Sequence, residues 1–203
     1  MTRSPRLSRL RLVAGEDRGA TIAEFAIVAP VFFLLLFGIF DIGHSIYTQS
    51  VLQGAVQDAG RDAGLESGGE SVSEIDQYVR DQVAPLTPNG EFSFERANYL
   101  TFSDVGRPED FVDSNDNELY DDDECFTDEN GNELWDDDVG AAGLGGADDV
   151  VLYTVTVEYD RVFPLWALVG FDPVNSVSAT TTLRNQPFGT QAGRTSVQVC
   201  PEE

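Results

Sequence analysis

The feature that most constrains this chain is an unbroken apolar run near its N-terminus. Residues 20–40 read ATIAEFAIVAPVFFLLLFGIF and carry a single charge, at Glu24. At about 1.5 Å of rise per residue, a helix of this length crosses a bilayer core of roughly 30 Å. A carboxylate at membrane depth is costly, so Glu24 is a candidate functional residue that needs a partner. The sequence therefore predicts one transmembrane helix over residues 20–40.

The charges on the two sides of this run differ in sign. All 12 basic residues are arginine, and five of them lie in the first 18 residues, whereas the rest of the chain carries most of the 36 acidic residues. The positive-inside bias then makes residues 1–19 a cytoplasmic basic leader and places the body outside. A cleavable secretory signal is the alternative, but its apolar region is about 7–15 residues long and ends in a small-residue cleavage site.

Beyond the apolar run, the helical pattern continues. Apolar residues recur at spacings of three and four, which predicts an amphipathic stem helix over residues 41–66. These residues are Ile42, Ile46, Val51, Leu52, Ala55, Val56, Ala59 and Ala63. Small residues such as Gly54 and Gly60 would allow another helix or a sheet to approach the stem closely.

From Arg18 onward the chain reads RGATIAEFAIVAPVFFLLLFGIFDIGHSIYTQSVLQGAVQDAGRDAG, which closely resembles the N-terminal region of TadE-like proteins, the minor pseudopilins of the tight-adherence (Tad/Flp) pilus system. The resemblance implies that a prepilin peptidase cuts after Gly19, that Ala20 becomes the new N-terminus, and that Glu24 guides assembly. The partners it implies are the inner membrane, the prepilin peptidase, other pilin or pseudopilin subunits and the Tad assembly platform. The alternative is an uncleaved signal anchor in which Glu24 snorkels to the interface.

The body, residues 67–203, reads as a periplasmic α+β domain with a small antiparallel sheet packed on the stem. A capping-box pattern at Ser71 predicts a short helix that Pro85 ends. β-branched and aromatic residues predict the strands. Residues 91–102 hold one or two strands, residues 150–163 and 176–184 one each, and residues 195–200 an edge strand, with an apolar loop or short helix over residues 164–173.

An acidic insert at residues 111–138 contains an internal repeat. FVDSNDNELYDDD aligns with FTDENGNELWDDD at a period of 15 residues, with nine of thirteen positions identical. Each copy places oxygen-bearing side chains at positions 1, 3, 5 and 9 of a loop, the pattern of a calcium loop, with a backbone carbonyl at position 7. The candidate ligands are Asp113, Asn115, Asn117, the Leu119 carbonyl, Asp121 and Glu124 in the first copy, and Asp128, Asn130, Asn132, the Leu134 carbonyl and Asp136 in the second.

The second copy lacks a glutamate at position 12, where Val139 stands, so Asp137, Asp138 or a residue of the other copy would complete its coordination sphere. Position 6 carries glutamate instead of the usual glycine, so the resemblance is to EF-like or thrombospondin-type acidic repeats. A solvated acidic loop without metal is the alternative. We expect Ca²⁺ as cofactor, because sixteen acidic residues between Asp104 and Asp138 with one arginine repel one another unless cations bind.

The two cysteines, Cys125 and Cys200, are 75 positions apart with no CxxC motif and no nearby histidine, which disfavours a zinc site. A disulfide is the favoured use, contributing roughly 2–4 kcal/mol, and two unrelated thiols are the alternative. It would fasten the acidic insert, which we expect to be too polar to bury a core, to the C-terminal strand.

The remaining composition excludes several functions. The net charge of -24 disfavours nucleic acid as a partner. With no Ser/His/Asp set and no phosphate-binding glycine loop, we expect no enzymatic activity and no small-molecule substrate. The sequence thus predicts a single-pass protein of a bacterial inner membrane, a component of pilus assembly. The alternative is a permanently anchored, calcium-dependent binding or adhesion module of the cell envelope.

Overall fold

The computed structural model of this chain describes residues 18–65, 72–163, 170, 172–185 and 193–201. The helices within these residues are α1 (Arg18–Leu65) and α2 (Val72–Val83), with 3₁₀ turns at Ala84–Leu86 and Phe102–Asp104. The strands are β1 (Glu91–Tyr99), β2 (Phe126–Asp128), β3 (Ala141–Ala142), β4 (Val150–Asp160), β5 (Val174–Arg184) and β6 (Val197–Val199). The leader before Arg18, the capping residue Ser71 and most of the apolar loop at residues 164–173 lie outside the described residues.

Helix α1 joins the apolar run and the stem in one element of 48 residues, which continues through Pro30. Its first half is apolar on all sides and exposes large side chains, including Ile27 at 78% and Ile39 at 69%. A helix that is apolar all round and yet exposed in a monomer has the composition of a membrane span. One candidate span is found among the described residues, within Ile22–Arg61.

The chain divides into two compact units. The first consists of Met1–His44 together with Arg161–Pro173, and the second of Ser45–Asp160 together with Val174–Glu203.

In the second unit, the stem part of α1 and helix α2 pack on the sheet. Leu52, Val56 and Ala59 of the stem are almost fully buried against alternate residues of β4, such as Val155 and Val157. The intervening threonines of β4 face outward, as the period of a strand requires. This arrangement confirms the predicted α+β fold.

The main sheet is antiparallel, with strand order β3-β1-β4-β5. The segment 91–102 holds one strand, β1, which ends at Tyr99 and pairs with β4 along its whole length, from Glu91 opposite Glu158 to Tyr99 opposite Val150. Gly60 of the stem lies so close to β5 that a Cβ atom there would stand 2.8 Å from the Thr181 methyl carbon. The predicted close approach at this glycine is therefore present, whereas a Cβ at Gly54 would meet nothing within 4 Å.

The C-terminal strand differs from a simple edge of the main sheet. β6 pairs instead with β2, at the centre of the acidic insert, in a separate two-stranded sheet. The physical reason is the disulfide between Cys125 and Cys200, whose Cα atoms are 4.2 Å apart and which directly flanks both strands.

Candidate functional site

The acidic insert consists of two adjoining repeats of 15 residues. The repeat extends upstream of the thirteen positions aligned above, so that residues 109–123 align with residues 124–138 and ten of fifteen positions are identical. Glu109 and Glu124 are then the first residues of the two copies. The alignment that starts at Phe111 misses this pair, although the 15-residue period itself points to it.

The two loops share an unusual backbone conformation. Positions 4 and 6 are left-handed in both copies, with φ of 61° at Asp116 and 62° at Glu118, and of 82° at Gly131 and 63° at Glu133. Left-handed backbone is uncommon for residues other than glycine and is tolerated where surrounding contacts determine it. Both glutamates at position 6 thus adopt the conformation that a glycine usually supplies there.

The contacts that determine this conformation come from the aspartate at position 1. In the first loop, Asp113 accepts hydrogen bonds from the backbone N–H groups of Asn117 at 3.2 Å and Glu118 at 2.8 Å. These bonds lower the pKa of the Asp113 carboxyl, that from Glu118 most strongly. In the second loop, Asp128 likewise accepts from the Glu133 N–H at 2.9 Å. The aspartate at position 1 therefore organises each loop through its bonds to backbone N–H groups.

Side chains at positions 3, 5 and 9 converge in both loops. The carboxamides of Asn115 and Asn117 donate to the same oxygen of Asp121, each at 2.8 Å. In the second loop the equivalent distances to one Asp136 oxygen are 2.7 Å from Asn130 and 2.6 Å from Asn132. The structure therefore brings together the predicted ligands at positions 3, 5 and 9, with the same geometry in both loops.

A buried glutamate closes each loop. Glu124 is 1% exposed, and its two oxygens accept the backbone N–H groups of Ser114 at 2.7 Å and Asp121 at 3.3 Å. At position 12 of the first loop, this residue therefore caps backbone groups of that loop.

Glu109 occupies the equivalent place for the second loop, and sequence reasoning missed it. It is also 1% exposed, and it accepts the N–H groups of Glu129 at 2.7 Å and Asp136 at 3.3 Å. Burial raises the pKa of the Glu109 carboxyl, against the lowering effect of these N–H donors, and the nearby Asp128 charge adds to the rise. The second loop, which has Val139 at its own position 12, is thus closed by the first residue of the preceding repeat.

The repeats are paired by equivalent backbone hydrogen bonds. The Val112 N–H donates to the Cys125 carbonyl at 2.8 Å, and the Thr127 N–H donates to the Asp110 carbonyl at 2.7 Å. The two donors, Val112 and Thr127, stand at the same position of the two repeats, and so do the two acceptors, Asp110 and Cys125. The two bonds are therefore equivalent. The paired segments therefore allow each repeat to supply a closing glutamate to its neighbour.

Aromatic side chains from both repeats form a cluster between the loops. Tyr120 stacks on Trp135 with ring centroids 4.6 Å apart, and Phe111 packs edge-on against both rings. Phe126 is 5% exposed and contacts Tyr120. The insert thus holds a small aromatic cluster in which Phe126 is buried and the other three rings are half-buried. Leu119 and Leu134 instead remain 67% and 66% exposed.

The donor set of each loop suits a hard cation. One loop offers two aspartates, two carboxamide oxygens and the carbonyl of position 7, and Ca²⁺ takes about six to eight such oxygens. The Asn115 and Asn117 carboxamide oxygens each accept one backbone N–H and keep a second lone pair. Across the described residues, no group of three or more acidic, histidine or cysteine side chains lies close enough to hold a metal. Glu124 in particular is directed to backbone N–H groups.

The second predicted site lies at the start of α1. Gly19 and Ala20 belong to the helix, and Glu24 is exposed one turn further on. A family model described as TadE-like protein matches residues 19–61. The predicted resemblance to TadE-like proteins is confirmed over this segment. The match begins at Gly19 and covers most of α1, about a fifth of the chain.

The remaining comparisons add no match for the body of the chain. No curated protein and no solved structure matches this chain significantly. The TadE-like match ends at Arg61, before α2, the sheet and the acidic repeats. The TadE-like segment therefore points to a component associated with a Tad pilus and anchored in a membrane, and it does not include the acidic repeats.

Proposed function

We propose that this chain is a minor pseudopilin-like component of Tad/Flp pilus assembly, cleaved after Gly19 and assembled through Glu24. The observation that carries the proposal is the TadE-like match over residues 19–61, which coincides with an exposed, apolar α1. In this proposal α1 crosses the bacterial inner membrane once, with the leader in the cytoplasm and the body in the periplasm. The protein acts through assembly contacts with pilin subunits and the Tad platform, without catalysis.

The processing step can be tested by intact mass and N-terminal sequencing of the protein extracted from its native membrane. We expect a chain that begins at Ala20. Substitution of Gly19 by valine should block processing, whereas the same substitution at Gly38, where a Cβ atom would meet nothing within 4 Å, should not. A chain that begins at Met1 would contradict the proposal and favour a permanently anchored protein.

The assembly step depends on Glu24. After cleavage its carboxylate lies one helical turn from the new α-amino group of Ala20, and in an assembly the amine of one subunit can neutralise the glutamate of its neighbour. We expect Glu24→Ala to abolish assembly while processing at Gly19 continues. Asp58→Ala, at an exposed acidic position of the same helix, is the matched control and should assemble normally. Normal assembly of Glu24→Ala would contradict this role.

For the acidic repeats we propose that each loop binds one Ca²⁺. The carboxamides at positions 3 and 5 converge on one oxygen of the aspartate at position 9, which supports this proposal. A cation bound at that point would take the place of the carboxamide hydrogens that now contact Asp121 and Asp136. The first ion would be held by Asp113, Asn115, Asn117, the Leu119 carbonyl and Asp121, and the second by the equivalent residues of the other loop. Two bound Ca²⁺ ions would offset four of the thirteen negative charges of residues 111–138 and would stiffen the insert, without any chemical step.

Thermal unfolding of the full chain in detergent, with calcium or magnesium added, tests calcium binding. A ligand that binds only the folded state at about 100 times its dissociation constant adds about 2.7 kcal/mol of stability. We expect a rise in melting temperature with calcium that Asp121→Asn and Asp136→Asn each reduce. Asp122→Asn, at the exposed neighbouring position, should keep the full response. Absence of any calcium-linked rise at millimolar concentration would contradict the proposal.

The alternative function is a permanently anchored, calcium-dependent binding or adhesion module. The observation in its favour is the exposure of Leu119 and Leu134 at the same position of the two loops. Two exposed leucines at equivalent positions on an acidic surface would offer an apolar contact to another protein. Processing distinguishes the two functions, since the anchored module requires an uncleaved N-terminus.

A further inference from the structure

We infer that the start of the β4–β5 connection enters the membrane interface beside α1, so that the chain contacts the bilayer at a second point besides its helix. This inference rests on the proposed membrane anchoring of α1. It concerns the residues Arg161, Val162 and Phe163, all of which belong to the same compact unit as the apolar half of the helix. The partner is the lipid of the bilayer that α1 crosses.

A charged contact fixes the base of this connection at the end of the apolar run. Asp41 is the first charged residue after the run, and the Arg161 guanidinium donates to its carboxylate at 2.6 Å. Arg161 also donates through Nε to the Asp172 carbonyl at 2.9 Å and through its backbone N–H to the Pro173 carbonyl at 3.0 Å. Both ends of the connection are thereby held at the level of Asp41, with the charges paired.

From that level the chain runs towards the apolar side of α1. The Phe163 ring stacks on Phe37 with centroids 5.3 Å apart and also contacts Phe40 at 6.4 Å. Phe37 precedes Asp41 by four residues, which corresponds to about 6 Å along a helix axis. Elements that lie in a membrane interface are buried by about 5–10 Å, so Phe163 stands at interfacial depth.

Lipid covers the apolar surface around Phe163, because this surface is continuous with the apolar surface that α1 presents to the bilayer. Phe40, which contacts Phe163, and the neighbouring Val162 are 56% and 48% exposed. The sequence between Arg161 and Asp172 is VFPLWALVGF, with no charged or polar side chain. Such a stretch is costly to expose to water, and aromatic residues favour the membrane interface.

Quenching of tryptophan by brominated lipid measures this contact directly. The full chain, with Trp135 and Trp166 replaced by phenylalanine, receives a single tryptophan through Phe163→Trp and is reconstituted in phosphatidylcholine vesicles that contain acyl-chain-brominated lipid. Phe40→Trp in the same background reports on the helix, and the Trp166→Phe chain, which keeps Trp135, reports on the acidic insert. Val162→Trp provides a second position in case the Phe163 variant does not fold.

We expect the tryptophans at positions 163 and 40 to lose a similar fraction of their emission, and Trp135 to keep its emission. Quenching at position 40 but at neither 162 nor 163 would overturn this inference and leave the proposed anchoring intact. Quenching at none of them would overturn the anchoring as well. If positions 162 and 163 were quenched only after dilution of the protein in lipid, a second copy of the chain would cover them, which also overturns a lipid contact.

Discussion

Replacement of Glu109 by glutamine tests whether the first residue of one repeat closes the loop of the next. In Glu109→Gln one carboxylate oxygen becomes an NH₂ group. Of the two backbone N–H groups that donate hydrogen bonds to Glu109, one would then face this NH₂ group, which is itself a donor. The carboxamide is expected to keep the bond to the Glu129 N–H at 2.7 Å and lose that to the Asp136 N–H at 3.3 Å.

The size of the effect follows from this lost bond. A buried N–H without an acceptor costs about 1–3 kcal/mol. Because burial disfavours the charged carboxylate, as the raised pKa of Glu109 indicates, the neutral amide recovers part of that cost. We therefore expect a loss of about 1–2 kcal/mol, which for a chain of this size lowers the melting temperature by roughly 2–8 °C.

The assay is thermal unfolding of the full chain in detergent with a calcium chelator, followed by Trp135 emission in a Trp166→Phe background. Trp135 is a local reporter because its indole N–H donates to the Glu109 carbonyl at 3.1 Å. Glu124 accepts backbone N–H bonds of the same two lengths in the other loop, so Glu124→Gln should lower the melting temperature by a similar amount. Glu118→Gln, at an exposed position, should keep a melting temperature close to that of the parent. A melting temperature for Glu109→Gln equal to that of Glu118→Gln would refute the exchange of glutamates between repeats.

Three further predictions concern stability of the second unit. Leu52→Ala, at a fully buried stem position, should cost about 2–5 kcal/mol in chemical denaturation. Reduction of the Cys125–Cys200 disulfide should lower stability by about 2–5 kcal/mol, measured by unfolding with and without reductant, and an unchanged midpoint would contradict a structural role. Gly54→Ala should stabilise the stem by up to about 1 kcal/mol, since the new methyl group meets nothing within 4 Å, whereas Gly60→Ala should destabilise it because its Cβ would stand 2.8 Å from a threonine methyl carbon. Equal shifts for the two glycine variants would show that the sheet does not restrict the stem at Gly60.

The local periods of the sequence were sufficient for most of the fold. The apolar run and the spacing of residues such as Leu52 and Val56 define α1 and the face that it buries, since a period of 3.6 residues aligns them on one side. The alternation in β4 and β5 defines which side chains enter the core. Burial of an apolar face is a local property of the pattern, so neighbours along the chain are enough to specify it.

Pairing across the acidic repeats was decided only by the tertiary structure. The sequence by itself determined the repeated ligand pattern and the possibility of a disulfide, because both depend on residue types at fixed spacing. It did not determine that Glu109 closes the second loop or that β6 pairs with β2, because these contacts join residues far apart in the chain. The repeats meet through contacts such as the stacking of Tyr120 on Trp135, and β6 meets β2 beside the bond between Cys125 and Cys200, so both pairings depend on side chains that come together only in the folded chain.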